Sequence, residues 1–173
     1  VVAGDISDTS QLPPDCLKFM LWLFRKYDGV LDIHLLMGNH DFDTDKTTSM
    51  DVLKEASLAF ETIHVYDTPT QVKLDGVWVN FLPHPHEERL DPPEDLACLN
   101  VAHFSPVGSL NDNGTPVKRG VLLRDDGDFW LMGHVHTQQY GSNWSMCGSP
   151  WQVRFGENDD KGFCTYDVSY DAN

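Results

Sequence analysis

Leu31-Asp-Ile-His-Leu-Leu-Met-Gly-Asn-His-Asp41 is the stretch on which the reading of this chain turns. An apolar run stops at Gly38, and an amide, an imidazole and a carboxylate follow without a spacer, as Asn39, His40 and Asp41. A buried strand delivers polar groups to the carboxyl edge of a sheet in this way, and open α/β folds keep their sites at that edge. Three further stretches share the form. Val1-Val-Ala-Gly-Asp5 ends in Gly-Asp, Leu99-Asn-Val-Ala-His103 ends in His, and Phe129-Trp-Leu-Met-Gly-His-Val-His136 ends in Gly-His-x-His. Four strand ends therefore carry Asp, Asn-His-Asp, His and His-x-His, a donor set suited to divalent metal ions.

Outward from that stretch, the chain alternates strand and helix and then becomes strand-rich. Val1–Asp5 and Val30–Met37 read as buried strands. Between them, Leu17, Met20, Leu21, Phe24 and Tyr27 recur at helical spacing behind Pro13 and Pro14, which predicts a helix over 15–27. Strand, helix and strand in succession predict a parallel, right-handed unit. A second helix is expected over 50–60, then strands over 62–65, 71–74 and 77–82, with Asp75-Gly76 turning a hairpin. One helical turn is expected over 92–96. Further strands are expected over 99–103, 121–123, 129–132, 144–147, 152–155 and 163–168. The long polar loop from Phe104 to Arg119 has a length that usually signals function.

The chain has 173 residues, 40% of them hydrophobic, enough for one domain with a core. No apolar run reaches membrane-spanning length and no signal peptide is visible, so a cytoplasmic protein without a membrane partner is expected. The net charge of -15 argues against a general nucleic-acid surface and suits a protein that gathers cations. Cys16, Cys98, Cys147 and Cys164 form no CxxC pair and read as reduced thiols, mostly in the core.

The donor set predicts specific chemistry. Two divalent ions roughly 3.5–4 Å apart need a bridging carboxylate and several neutral ligands. Asp5 is the natural bridge, Asn39 offers a carbonyl oxygen, and His103, His134 and His136 offer imidazoles. If Gly-His-Val-His is extended, His134 and His136 point the same way, so each can serve a different ion. His40 follows a ligand directly and should face the substrate as a general acid, with Asp41 orienting it.

In these motifs the chain resembles the calcineurin-like metallophosphoesterases: Gly4-Asp5-Ile-Ser-Asp8, Gly38-Asn39-His40-Asp41, the lone His103 and Gly133-His134-Val-His136. The resemblance implies an α/β four-layer sandwich, two mixed β-sheets face to face with helices outside. It implies that Asp5 bridges, that Asn39, His103 and His134 hold one ion, that His136 holds the other, and that His40 is the acid. The stretches Gly4 to Pro14, Asp128 to Gln138 and Cys147-Gly-Ser-Pro through Glu157 to Lys161-Gly-Phe163 look like the SbcD-type repair nucleases and their phage relatives. That narrower likeness implies phosphodiester hydrolysis on DNA with two divalent ions. Manganese is favoured, with iron, zinc and magnesium as alternatives. It also implies an ATPase partner of the SbcC/Rad type and allows a homodimer. A phosphoesterase for nucleotides or phosphoproteins is the rival enzyme, and a non-catalytic scaffold the rival of another class.

The family's first motif, Asp-x-His, is expected upstream of Val1, so residues 1–173 read as an N-terminally truncated catalytic core without capping or ATPase-binding domain. A chain lacking that motif should hold its second ion poorly. Asp32-Ile-His34 imitates the motif, but at about 3.3 Å per residue His34 lies roughly 16 Å from Asn39 in an extended run, too far to share an ion. His64 reads as a strand residue, His84 and His86 as loop residues, and Lys46, Lys118 and Arg119 as loop charges beside the site.

Overall fold

The computed structural model describes residues 1–86, 90–91, 97–123, 127–153, 157 and 161–168. Helix α1 (Pro14–Tyr27) begins with proline in its first turn, where the missing N–H costs nothing, and carries Arg25 and Lys26 in its last turn. Strand β1 (Ile33–Leu36) follows. Helix α2 (Ser49–Ser57) starts at a reciprocal cap, in which Thr48 and Asp51 each accept from the other's backbone N–H. Thr48-Ser-Met-Asp51 carries that signal openly, and it sets the helix start one residue before the expected Met50. Strand β2 (Ile63–Tyr66) pairs parallel with β1.

Val1–Asp5 is not a regular buried strand. Val2 lies beside β1 through a single parallel bridge to Leu35, donating to the His34 carbonyl at 2.8 Å and accepting from Leu36 at 2.9 Å. Val1 and Val2 are exposed, because no described neighbour covers their outer side. The parallel strand–helix–strand order nevertheless holds.

The second sheet has six strands in the order β3-β4-β5-β6-β8-β7. They are β3 (Thr70–Leu74), β4 (Val77–Leu82), β5 (Cys98–Ala102), β6 (Phe129–Met132), β7 (Gln139–Tyr140) and β8 (Trp144–Met146). The β3–β4 and β7–β8 pairs are antiparallel and the others parallel, so this sheet is mixed. Asp75 and Gly76, both at positive φ (47° and 89°), turn the β3–β4 hairpin as expected.

The layers follow from which side chains share a core. Leu35, Met37, Ile63 and Val65 pack against Phe24, Met50 and Leu53 of the two helices. Leu36 and Tyr66, on the opposite face of the first sheet, pack against Val79, Phe81 and Val101 of the second. Among the described residues, helices, two-stranded sheet and six-stranded sheet thus make three layers.

Several expectations do not hold. Among the described residues only the second sheet is mixed, since β1 and β2 run parallel. Among the described residues no helix covers the outer face of the second sheet. Phe104 of the long loop, Val121, Leu123 and Val135 pack there instead. The predicted strand over 121–123 reduces to one bridge, Pro106 to Val121. The described parts of 152–155 and 163–168 form no strand, and Phe163 is 82% exposed. Alternation of apolar residues does not make a strand without an edge to pair with. The turn expected over 92–96 lies outside the described residues. None of the four cysteines is in a disulfide, but only Cys98 is buried, and Cys16 is exposed on α1. No helix among the described residues is long and apolar enough to cross a membrane.

A buried polar ladder fixes the register of the second sheet. Gln71 Nε2 donates to Asn80 Oδ1 (2.8 Å), Asn80 Nδ2 to Asn100 Oδ1 (2.8 Å), and Asn100 Nδ2 to Asp128 Oδ2 (2.9 Å). A slip of one residue would turn Asn80 and Asn100 onto the apolar inner face, so the ladder sets where each strand ends.

His34 settles into the interface between the sheets. Its ring stacks on His64, Tyr66 and Phe81, and its Nδ1 is 2.9 Å from the Tyr66 hydroxyl. Asp32 is exposed and lies 3.9 Å from His64. Burial, with His64 close by, pushes the His34 imidazole down to about 4. An unfolded His34 takes a proton near its ordinary value of 6.5, whereas the folded one stays neutral. Stability from this group is therefore complete above 6.5 and lost as pH falls from there toward 4. Urea unfolding of wild type and His34→Phe across that window should show a shallower pH dependence in the variant. Equal slopes would refute the assignment.

Candidate metal centre

Three strand ends and the Val1–Asp5 segment meet where the two sheets touch at their carboxyl edges. His84 N donates to the Met37 carbonyl (2.9 Å), which ties the end of β4 to the end of β1. Asp5 follows Gly4, Asn39 follows β1, His103 follows β5 and His134 follows β6. Asp5, His103 and His134 each bring one ligand atom within 4.8 Å of the other two. Asn39 Oδ1 lies between the imidazoles, 3.0 Å from His103 Nε2 and 2.8 Å from His134 Nδ1. Asp5 Oδ2 is 3.2 Å from His103 Nε2.

The backbone at this point is bent and crowded. Asp5 and His134 both sit at positive φ (51° and 90°), a region side chains other than glycine seldom adopt. A Cβ on Gly38 would run into the Asp5 backbone nitrogen and carboxylate, and one on Gly133 into the Ala3 carbonyl. Gly38→Ala should therefore cost the roughly 1–3 kcal/mol of an overpacked site. Gly162, with no described residue within 4 Å, should accept alanine freely. Thermal unfolding of the two variants measures the contrast.

The donor set itself asks for a cation. His103 Nδ1 is 2.6 Å from the Ala3 carbonyl, which can only accept, so Nδ1 carries the hydrogen. A neutral His103 then points a bare Nε2 at Asp5 Oδ2 and Asn39 Oδ1, three electron-pair donors facing one another. Only a positive charge among them, a proton or a metal ion, reconciles the arrangement. Burial alone would raise the Asp5 carboxyl. The His103 ring and the His40 N–H outweigh it and hold Asp5 below its usual value. Burial and the nearby His103 ring lower the His134 imidazole, which keeps it neutral and able to donate electrons. Carboxylate, amide oxygen and two neutral imidazoles fit a divalent ion such as manganese, iron or zinc.

The other expected residues take different places. His40 N donates to Asp5 Oδ1 at 2.9 Å, while its half-exposed ring turns outward, with Nδ1 3.1 Å from the Asp8 carbonyl and 3.5 Å from the Asp8 carboxylate. The orienting contact expected of Asp41 is thus made by Asp8. Asp41 is buried and accepts from the backbone N–H groups of Gly38 (3.0 Å), Ile6 (3.2 Å) and Ser7 (3.3 Å). It clips the Asp5 loop to the Asn39 loop. Burial raises its carboxyl despite those three donors, and the Asp5 charge adds to the rise.

His136 does not join the first group. His134 sits at positive φ, so the Gly-His-Val-His segment does not run extended. His136 forms a second group with Asp112 and Glu157. Its Nδ1 lies 2.8 Å from Glu157 Oε1 and 3.4 Å from Asp112 Oδ2. Burial would raise Glu157, but Lys161 and His136 overcome it and bring the carboxyl down to about 2. The sequence reading missed Asp8 and Asp112 as partners of the site. Asp8 stood within the first motif, whereas Asp112 lies in the long loop, where nothing in the spacing marks it.

Comparison with known proteins agrees with this geometry. Exonuclease subunit 1 of enterobacteria phage T4 is 28% identical over 176 residues, which take in 95% of this chain and 51% of that protein. The chain spans about half the length of the curated relative it matches. The family model of the calcineurin-like phosphoesterases matches residues 1–138, well over half of the sequence. A match of that extent, with Asp5, Asn39, His103 and His134 gathered at one sheet edge, establishes that the chain belongs to the calcineurin-like phosphoesterases.

Proposed function

We propose that this chain carries the catalytic core of a metal-dependent phosphodiesterase acting on DNA. The observation that carries the reading is the meeting of Asp5 Oδ2, Asn39 Oδ1, His103 Nε2 and His134 Nδ1, four electron-pair donors from four separate segments of the chain. These residues would hold a divalent ion, manganese by preference, and His136 would serve a second. Bound ions of this kind activate water and neutralise phosphoryl oxygens.

The protein's own residues supply the rest. Asp5 holds the His40 backbone in place through Oδ1. The His40 ring is half-exposed, with Nδ1 resting on the Asp8 carbonyl and carboxylate. His40 then gives its proton to the leaving oxygen. Asp41 fixes the two loops on which Asp5 and His40 stand. Likeness to a phage exonuclease subunit favours DNA, and the word subunit favours action with a partner, of which an ATPase is the proposed kind. The net charge of -15 favours the rival reading, a phosphoesterase for small nucleotides.

Manganese titration by calorimetry tests the site, and cleavage of labelled DNA against a nucleoside monophosphate tests the substrate. Manganese-dependent DNA cleavage, abolished by chelator and restored by added metal, is the expected result. Hydrolysis of the monophosphate alone would replace this reading by its rival. Manganese binding without either activity would leave the scaffold.

A further inference from the structure

Lys161 and Glu157 form a brace beneath His136. Lys161, its side chain 7% exposed, donates to the His136 carbonyl (2.8 Å) and to Ser149 Oγ (3.0 Å), and lies 2.8 Å from Glu157 Oε2. Glu157, 4% exposed, also accepts from Val153 N (3.1 Å) and places Oε1 2.8 Å from His136 Nδ1. On the far side Asp112 accepts from His136 N at 2.7 Å. The Lys161 ammonium already sits on the Glu157 carboxylate, so the group is a brace and not a cation site of its own.

The brace has a chemical consequence. A carboxylate paired with a buried ammonium is ionised and can only accept hydrogen bonds. His136 Nδ1 must then carry the ring hydrogen, and the electron pair of the neutral imidazole resides on Nε2. We propose that Glu157, clamped by Lys161, is a positioning residue that holds His136 in the Nδ1–H tautomer and so presents Nε2 as an electron-pair donor to a divalent ion. The metal half of this inference rests on the proposed function above, and the tautomer half does not.

Long-range proton–nitrogen NMR of the histidine rings in the metal-free chain reads the tautomer directly. At about pH 8, above the ordinary imidazole range, His136, identified by its loss in His136→Gln, should show a protonated Nδ1 and a bare Nε2. Glu157→Ala should shift it toward the Nε2–H form. Glu157→Gln, whose amide oxygen still accepts, should restore most of the wild-type pattern. Glu157→Ala strands a buried ammonium and risks unfolding, so Glu157→Ala combined with Lys161→Met removes both partners and should give the same shift. An Nε2–H or doubly protonated His136 in the wild type would overturn the proposal. So would an unchanged tautomer in the folded variants, which would hand the task to Asp112.

Manganese titration then separates the two readings. Affinity should fall about ten- to hundred-fold in Glu157→Ala, as for other residues that orient a metal-binding histidine, and recover in Glu157→Gln. A shifted tautomer with undiminished affinity would overturn the donor role of Nε2. A wild type with the expected tautomer and no manganese binding would sink the proposed metal chemistry and leave the brace standing.

Discussion

Asp5→Asn should abolish tight manganese binding while leaving the fold in place. The amide keeps the size of the carboxylate, and asparagine tolerates the positive φ of 51° at this position. An amide oxygen can still accept from His40 N. What is lost is the one negative charge among the four converging donors, since Asn39, His103 and His134 bring none when neutral. Outer partners of metal ligands alone are worth ten- to hundred-fold in affinity, so loss of the charged ligand should cost on the order of hundred-fold or more. Calorimetric titration measures the affinity and thermal unfolding of the metal-free chain checks the fold. Affinity within a few-fold of wild type would show that the cation drawn to this cluster is a proton.

His40→Ala should separate metal binding from turnover. The ring is half-exposed, touches Asp8 and contributes no ligand atom to the Asp5, His103 and His134 group. Its backbone N–H, which steadies Asp5, survives the substitution. Manganese affinity should stay near wild type, while DNA cleavage falls by the roughly hundred-fold or more that follows loss of a general acid. The deficit should shrink on a substrate with a good leaving group, such as a nitrophenyl diester, because that oxygen needs no proton. Equal losses on both substrates, or parallel loss of metal and turnover, would make His40 a ligand or a structural residue.

What could be read from the sequence, and what could not, divides on physical lines. Apolar runs that break at glycine are governed by burial, and they located Asn39, His103 and His134 at strand ends correctly. The Asp75-Gly76 hairpin was legible because its turn demands those residues. Orientation within a motif was legible only in part: the reading turned the His40 ring away from the ligand side but did not show where Asp41 would point. His40 and Asp41 are adjacent, yet one faces outward and the other is consumed by three backbone donors, which only the crossing of the Asp5 loop decides. The division of His134 and His136 between two groups was hidden for the same reason. A single positive φ overrides the alternation that an extended segment would have. The brace on His136 comes from 21 residues downstream, in a stretch whose residues were noted but whose contacts depend on the loop path.

The spread of the donors along the chain bears on how the molecule comes to exist. Asn39 and His103 are 64 residues apart, Asn39 and His134 are 95 apart, and the contact that orients the His103 ring spans 100. Each donor waits on a parallel pairing, and such non-local contacts are slow to close. No fragment of the chain and no early intermediate can present the full set. A metal ion at this point has nothing to hold until the last crossover is made, so it cannot guide the search. Its effect would fall on the return journey: by binding only the finished sheet edge, it would slow unfolding and leave the folding rate alone.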